Sequence, residues 1–553
     1  MRSLISCIIG LGLWVLQVAS TDNYTELYRP QYHFTPAKNW MNDPNGLLYH
    51  NGIYHLYYQY NPGGDTWGAM SWGHATSDDL IHWEHQDIAL LARGYPGNIT
   101  EMFFSGSAVA DTKNTSGFGA NGTVPLIAMY TSYYPNTLTL PSGTTVQGGT
   151  QAQSIAYSLD EGMTWTTYDA GNPVIPLPPS PYEDQFKDFR DPFVFWHEST
   201  QKWVVVLTLA QLHKLVIYTS DNLKDWNHVS EFGPMNAVGG VWECPALYPL
   251  PLDGHKGAIK WVVQLGLNPG GPPGTVGSGS QYFVGDFDGT KFVADGTNNP
   301  GDNSTGTNWM DWGPDFYAAA TFNGLSMTDR YNIAWMSNWQ YGGSIPTSPW
   351  RSAMSIPRKV SLKTINGKAT LLQQPAKSLA SLETSGSYSK SWGVFPEGNQ
   401  TLQLSGKTLD ITLTFSNRNK HASGASSAAQ FGIVLRATSD LAQQTRVGYD
   451  FDTRELFVDR TKSGNTGFDS SFASVYHAPW TAISGGKVTM RILLDWSSVE
   501  VFGGEGEVTL STQIFPDDSG TDVVLFSTGG GTAAVKVLGS ALDSSVPPSP
   551  SSR

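Results

Sequence analysis

Ser77-Asp78-Asp79-Leu80-Ile81-His82-Trp83, Ser158-Leu159-Asp160-Glu161-Gly162-Met163-Thr164-Trp165 and Ser220-Asp221-Asn222-Leu223-Lys224-Asp225-Trp226 are three versions of one phrase, a polar turn closed by a tryptophan. Each follows a strand-like run: Gly73-His74-Ala75, Ile155-Ala156-Tyr157 and Val216-Ile217-Tyr218. A weaker fourth copy is Gly285-Asp286-Phe287-Asp288-Gly289-Thr290-Lys291-Phe292. Ser and Asp side chains bond nearby backbone amides and so favour turns. The closing aromatics Trp83, Trp165, Trp226 and Phe292 stand 82, 61 and 66 residues apart. A repeat of that size holds several short strands, as one four-stranded blade of a β-propeller requires. With a less regular copy over residues 333–339, the phrase predicts about five blades. A sandwich whose hairpins reuse Ser-Asp turns is the competing architecture.

Outward from the repeat, residues 40–360 are short β-branched and aromatic runs punctuated by Gly, Pro, Asn and Asp, an all-β signature. The propeller domain is assigned to residues 21–365. Residues 366–385, with Lys, Gln and Pro375, read as a linker. Strands resume over residues 386–543 without the repeat. Leu409-Asp410-Ile411-Thr412-Leu413-Thr414-Phe415 alternates apolar and polar residues, which predicts one buried face and a β-sandwich. The Ser/Pro-rich residues 544–553 are expected to be a disordered tail.

The chain has 553 residues and a net charge of −14, from 47 acidic and 33 basic side chains. No Lys/Arg cluster could neutralise a phosphate backbone, which argues against nucleic acid as a partner. A neutral ligand fits better, and 19 Trp suit stacking on apolar sugar faces. Residues 1–20 read as a secretory signal: Arg2, an apolar run, then Val18-Ala19-Ser20. That run is too short for a convincing membrane span, and no later stretch approaches one. Sequons at Asn23, Asn98, Asn114, Asn121, Asn303 and Asn399 complete the expectation of a secreted glycoprotein. Cys7 leaves with the signal, so Cys244 has no partner for an intramolecular disulfide. The sequence specifies no oligomeric state.

Three acids stand in unusual company. Trp40-Met41-Asn42-Asp43-Pro44-Asn45-Gly46 reads as a turn carrying a carboxylate. Arg190-Asp191-Pro192 precedes an apolar strand, and Trp242-Glu243-Cys244-Pro245 follows a Gly-Gly turn. Taken singly, Asp43 could cap a turn, Arg190-Asp191 could be a structural ion pair, and Glu243 could be solvated. Taken together on converging inner strands, they suit glycosidic hydrolysis, which needs one ionised and one protonated carboxyl group. Asp43 opposite Glu243 meets that need, with Arg190 holding Asp191 ionised. The scattered histidines form no metal set, no cofactor is implied, and no Gly-x-Ser-x-Gly elbow supports a serine hydrolase.

In order and spacing, these three motifs resemble the signatures of glycoside hydrolase family 32. Supporting stretches are Trp67-Gly68-Ala69-Met70-Ser71-Trp72-Gly73-His74, Phe104-Ser105-Gly106-Ser107 and Trp312-Gly313-Pro314-Asp315-Phe316-Tyr317-Ala318. Within the family the chain is most similar to secreted fungal exo-acting inulinases, including a long insertion over residues 133–153. The resemblance implies a five-bladed propeller followed by a β-sandwich. It also implies Asp43 as nucleophile, Glu243 as general acid/base and Asp191 as transition-state stabiliser. The same resemblance implies substrate contacts at Trp40, Asn42, Gln59, Trp67, Ser105, Arg190 and Trp335; Asp315 is either a further pocket acid or structural. Asp at position 43 and the Asn42-Asp43-Pro44 form favour exo-hydrolysis of terminal fructose from inulin, levan-type chains or sucrose. An invertase, a fructosyltransferase and a non-catalytic fructan-binding protein are the alternatives on the same scaffold.

Overall fold

The repeated phrase is the link between the third and fourth strands of a sheet. Strand Ser71–Ser77 ends on the first copy, and the Ser77 hydroxyl accepts the Leu80 amide at 2.8 Å. Asp79 Oδ1 accepts the Ile81 and His82 amides, both at 2.8 Å. The third copy repeats this with Ser220 and Leu223 (2.9 Å), and with Asn222 and the amides of Lys224 and Asp225. Leu80 and Leu223 take φ of +73° and +64°. The side-chain acceptors hold each turn so firmly that a branched residue adopts the left-handed conformation.

The computed structural model describes residues 24–120, 122–296, 306–417, 428–481 and 486–546. The expected leader over residues 1–20, Asn23, Asn121, Asn303 and residues 547–553 of the expected tail lie outside the described residues. Strands Asn39–His50, Ile53–Asn61, Ser71–Ser77 and Glu84–His85 form the first antiparallel meander. The second runs Met102–Ala110, Leu126–Tyr134, Thr150–Ser158 and Thr166–Thr167, and the third Phe189–His197, Lys202–Leu209, Lys214–Ser220 and Asn227–Phe232. Two further meanders begin at Val241–Leu252 and Tyr317–Thr321; a single bridge, Leu252 to Leu362, merges them into one nine-stranded sheet. The opening strands of the five meanders pack in sequence, and Tyr317–Thr321 closes on Asn39–His50, making a ring.

Two sequence expectations need correction. Residues 333–339 are not a fifth copy of the turn; they begin inside strand Tyr331–Met336, the second of its meander. The matching link is Asn366-Gly367, both with positive φ, between strands Arg358–Ile365 and Lys368–Pro375. Asn-Gly suits that two-residue hairpin because both residues tolerate the left-handed region. Residues 366–385 therefore hold a strand and a 3-10 helix, Lys377–Leu382, where a linker was expected. Their polar composition is that of an outermost strand exposing one face to water.

The C-terminal half is two six-stranded antiparallel sheets. Leu409, Ile411, Leu413 and Phe415 are fully buried, and they meet Phe431, Ile433 and Leu435 of the facing sheet. Alternation along the strand thus sets which face becomes core. Leu379 and Leu382, three apart on the 3-10 helix, pack against Leu493 and Phe502 and fasten the halves together.

Candidate active site

Each opening strand of the ring breaks register at the same level. The breaks fall between Met41 and Pro44, Phe103 and Gly106, Arg190 and Phe193, Glu243 and Ala246, and Tyr317 and Ala320. A β-bulge places two residues opposite one and re-aims a side chain. Pro44, Pro192 and Pro245 stand where the ladder is already interrupted and their missing N–H costs nothing. Asp191, Cys244 and Ala318 have φ of +66°, +47° and +51°. Asp43-Pro44-Asn45-Gly46 is accordingly part of a bulged strand rather than the turn its composition suggested. Buried partners on both sides outweigh its turn-forming residues.

The bulges bring Asp43, Asp191 and Glu243 to one end of the ring. Asp43 is 8% exposed and accepts hydrogen bonds from Asn42 Nδ2 (3.0 Å), Ser105 Oγ (2.8 Å) and the Cys244 thiol (3.3 Å). Burial pushes its carboxyl above the ordinary range and the charge of Glu243 adds to this, while the three donors oppose it by favouring the ionised form. Asp191 Oδ2 accepts the Cys244 amide at 2.8 Å. Burial drives its carboxyl up to about 7; Arg190 pulls it down, and Glu243 pushes it up. Cys244 thus bonds both aspartates from the residue next to Glu243.

Arg190 faces Asp191 as expected, but it grips Glu243 and Asp188 more closely. Its Nη2 lies 3.0 Å from Glu243 Oε1 and its Nη1 2.8 Å from Asp188, whereas Asp191 is 3.8 Å from Nε. The positive φ at Asp191 turns the two neighbouring side chains apart, so the guanidinium reaches across to the next strand. The other Glu243 oxygen accepts the Tyr317 hydroxyl. Tyr317 and Asp188 went unselected in the sequence. Tyr317 lay within a quoted family stretch, and Asp188 only two residues before Arg190.

Among the expected substrate contacts, Asn42 and Ser105 touch Asp43, and Trp67 is open, 46% exposed and edge-on to Phe104. Gln59 is buried and its amide donates to the Phe103 carbonyl at 3.0 Å. Trp40 and Trp335 are 1% and 0% exposed, packed on one another with centroids 5.8 Å apart, and so offer no open face to a sugar. Trp40 acts through Asn42 instead, its indole N–H donating to Asn42 Oδ1 at 2.7 Å. Asp315 is structural: fully buried, it pairs with Arg460 at 2.8 Å and accepts the Tyr341 hydroxyl and the Gln513 amide.

Comparison with known proteins identifies the family of both halves. The description "Glycosyl hydrolases family 32 N-terminal domain" matches residues 33–375, and "Glycosyl hydrolases family 32 C terminal" matches residues 378–540. The chain is 62% identical to an extracellular exo-inulinase of Aspergillus niger, over 94% of this chain and 95% of that one. It is 46% identical to a levanase of Bacillus subtilis, over 93% of this chain and 70% of the other. The crystal structure of the Aspergillus awamori exo-inulinase superposes with a TM-score of 0.91 at 60% identity, covering 95% of this chain and all of that one.

Proposed function

The chain belongs to glycosyl hydrolase family 32, and from that premise we propose an exo-β-fructosidase that removes terminal fructose from inulin and levan-type chains, and from sucrose. The observation that carries the chemistry is the convergence of Asp43, Asp191 and Glu243 on one rim, linked by Cys244 and Arg190. Asp43 is the nucleophile; Asn42, Ser105 and Cys244 aim it and favour its charge. Glu243, gripped by Arg190 and Tyr317, donates a proton to the leaving oxygen as Asp43 attacks the anomeric carbon. The fructosyl group becomes covalently held by Asp43, and Glu243 then activates the water that frees it with retained configuration. Asp191 faces the positive charge that builds on the ring in both steps. Trp67 offers the open apolar wall for the sugar.

The ring of five opening strands supports a five-bladed propeller for the N-terminal half, with the sandwich beginning after the 3-10 helix Lys377–Leu382. Secretion fits the extracellular relatives and the leader-like residues 1–20. Of the proposed glycosylation sites, Asn98, Asn114 and Asn399 are exposed.

Product analysis on inulin tests the reading. The wild-type chain releases fructose alone from the first minutes, and Glu243→Ala loses on the order of 10²–10⁴-fold in rate, the span of a general acid/base. Early oligosaccharides would replace exo-hydrolysis with endo-cleavage or transfer. No sugar from either inulin or sucrose would overturn the enzyme reading.

A further inference from the structure

The inner strands run from the carboxylates to a second opening. Phe195 lies four residues beyond Asp191 and Tyr248 five beyond Glu243, so this end is roughly 13–17 Å away at the usual strand rise. Between the two, Ser107 donates to the Pro192 carbonyl, and the Asn323 amide donates to the carbonyls of Ala108 and Val194, plugging the axis. Beyond the plug lies a cavity of about 750 Å³ walled by Phe195, Trp196, Trp203, Trp261, Phe287 and Leu325. Pockets of that volume with mostly apolar walls are the size that organic ligands fill.

The wall also carries polar residues, among them His197, Glu198, Asp288 and Asn323, and one of them, Arg330, is a buried cation. Arg330 is 7% exposed and sits over the Tyr248 ring at 4.9 Å. Its Nη1 donates to Thr321 Oγ1 (3.3 Å) and the Phe322 carbonyl (3.2 Å), and its Nε has no partner. Among the described residues no carboxylate pairs with it. The neighbouring Asp329 is bonded to Lys359. The two acids of the cavity are both exposed and turned to their own loops: Glu198 accepts from Trp196 and Gln201, and Asp288 from Thr290 and Lys291. Of the other buried arginines among the described residues, Arg29, Arg358 and Arg460 each pair with an acid, whereas Arg436, which lines no such cavity, bonds only the Asp517 carbonyl. A buried guanidinium is costly without an anion, and its planar fork matches a carboxylate.

We propose that this cavity is a second ligand site, which takes a small monocarboxylate with an aryl or alkyl body: Arg330 binds the carboxylate and the aromatic walls bind the body. The inference does not depend on the proposed fructosidase activity, because none of these residues belongs to the carboxylate rim.

The test is titration calorimetry of the full chain at pH 7 with 4-phenylbutyrate and with octanoate, each against its primary amide. At least one acid binds with a sub-millimolar Kd. Its amide binds about ten-fold more weakly or worse, the discrimination expected of a charge-assisted contact. Arg330→Met, which removes an unpaired buried charge, loses the same factor while keeping its Tm and its rate on inulin. Saturating fructose leaves the Kd unchanged. Failure of both acids to bind, equal binding of acid and amide, or displacement by fructose would each overturn the proposal. The acid–amide comparison needs no variant, so it decides the matter even if Arg330→Met misfolds.

Discussion

At the scale of single residues, Glu243 is defined by what holds it. The Tyr317 hydroxyl and the Arg190 guanidinium occupy its two oxygens. Tyr317→Phe removes one donor and leaves the ring packed, so inulin hydrolysis should slow by about ten-fold or more, the worth of a hydrogen bond to a charged group. An unchanged kcat would remove Tyr317 from the positioning role. Asp191 illustrates the opposite cost. Its folded carboxyl titrates near 7 against an ordinary 3.8, so the folded chain holds this proton more tightly than the unfolded chain does. The group therefore destabilises the fold progressively as pH rises from about 4 to about 7. Asp191→Asn should abolish turnover yet melt higher than wild type at pH 8, with the advantage gone at pH 4. Thermal melts at the two pH values check this, and a variant that melts lower at pH 8 would contradict it.

At the scale of elements, the bulges at a common level decide where chemistry can sit. Gly106 lies at the bulge of strand Met102–Ala110, where an added Cβ would come within 2.1 Å of the Met129 carbonyl oxygen on the next strand. Neither backbone can yield without moving Ser105, whose hydroxyl donates to Asp43. Gly106→Ala should cost about 1–3 kcal/mol in stability, as overpacking does. It should also lower kcat at temperatures where the protein remains folded; denaturant melts and single-temperature kinetics separate the effects. The sequence made the hairpin turns readable because Ser, Asp and Asn carry their own acceptors. It hid the bulges, because Asp43-Pro44-Asn45-Gly46 has turn composition and only the partner strand Ile53–Asn61 shows that the chain continues extended. The last propeller-half strand, Lys368–Pro375, was hidden for a related reason: its Lys, Thr and two Gln look like a linker's, although Gln373 is buried and only Lys368 and Gln374 are exposed.

At the scale of the molecule, the two halves share buried charge. Arg358 bonds Asp311 of its own half at 2.9 Å and reaches Glu500 of the sandwich, and Arg460 of the sandwich reaches back to Asp315. His33 lies between Asp495 (2.8 Å) and Glu500 (2.9 Å), fully buried. Burial disfavours its charge, but the two carboxylates prevail and hold its ring protonated up to about 9, against an ordinary 6.5. A raised histidine contributes its full stability below pH 6.5 and loses it as pH climbs through 9. Wild-type Tm should therefore fall between those values by an amount that His33→Gln lacks, the variant being less stable throughout the acidic range. Parallel pH–Tm curves for the two proteins would refute the coupling. Such a network suits a sandwich that buttresses the ring.

What the sequence determined by itself is local and periodic. Ser-Asp turns, alternating Leu409 to Phe415 and the acid–proline pairs Asp43-Pro44 and Asp191-Pro192 each follow from how a residue treats its near neighbours; they pointed to the all-β class, the two-part plan and two of the three acids, Glu243 standing out by the motif around it. The tertiary structure alone decided the partnerships between residues more than fifty positions apart: Arg190 with Glu243 as well as its neighbour Asp191, Asp315 with Arg460, Tyr317 with Glu243. It also decided that Trp40 and Trp335 are buried and Trp67 is open. Side-chain direction at a bulge, and burial at a seam between sheets, depend on which strand becomes the neighbour. That is a property of the closed ring, and no local stretch encodes it.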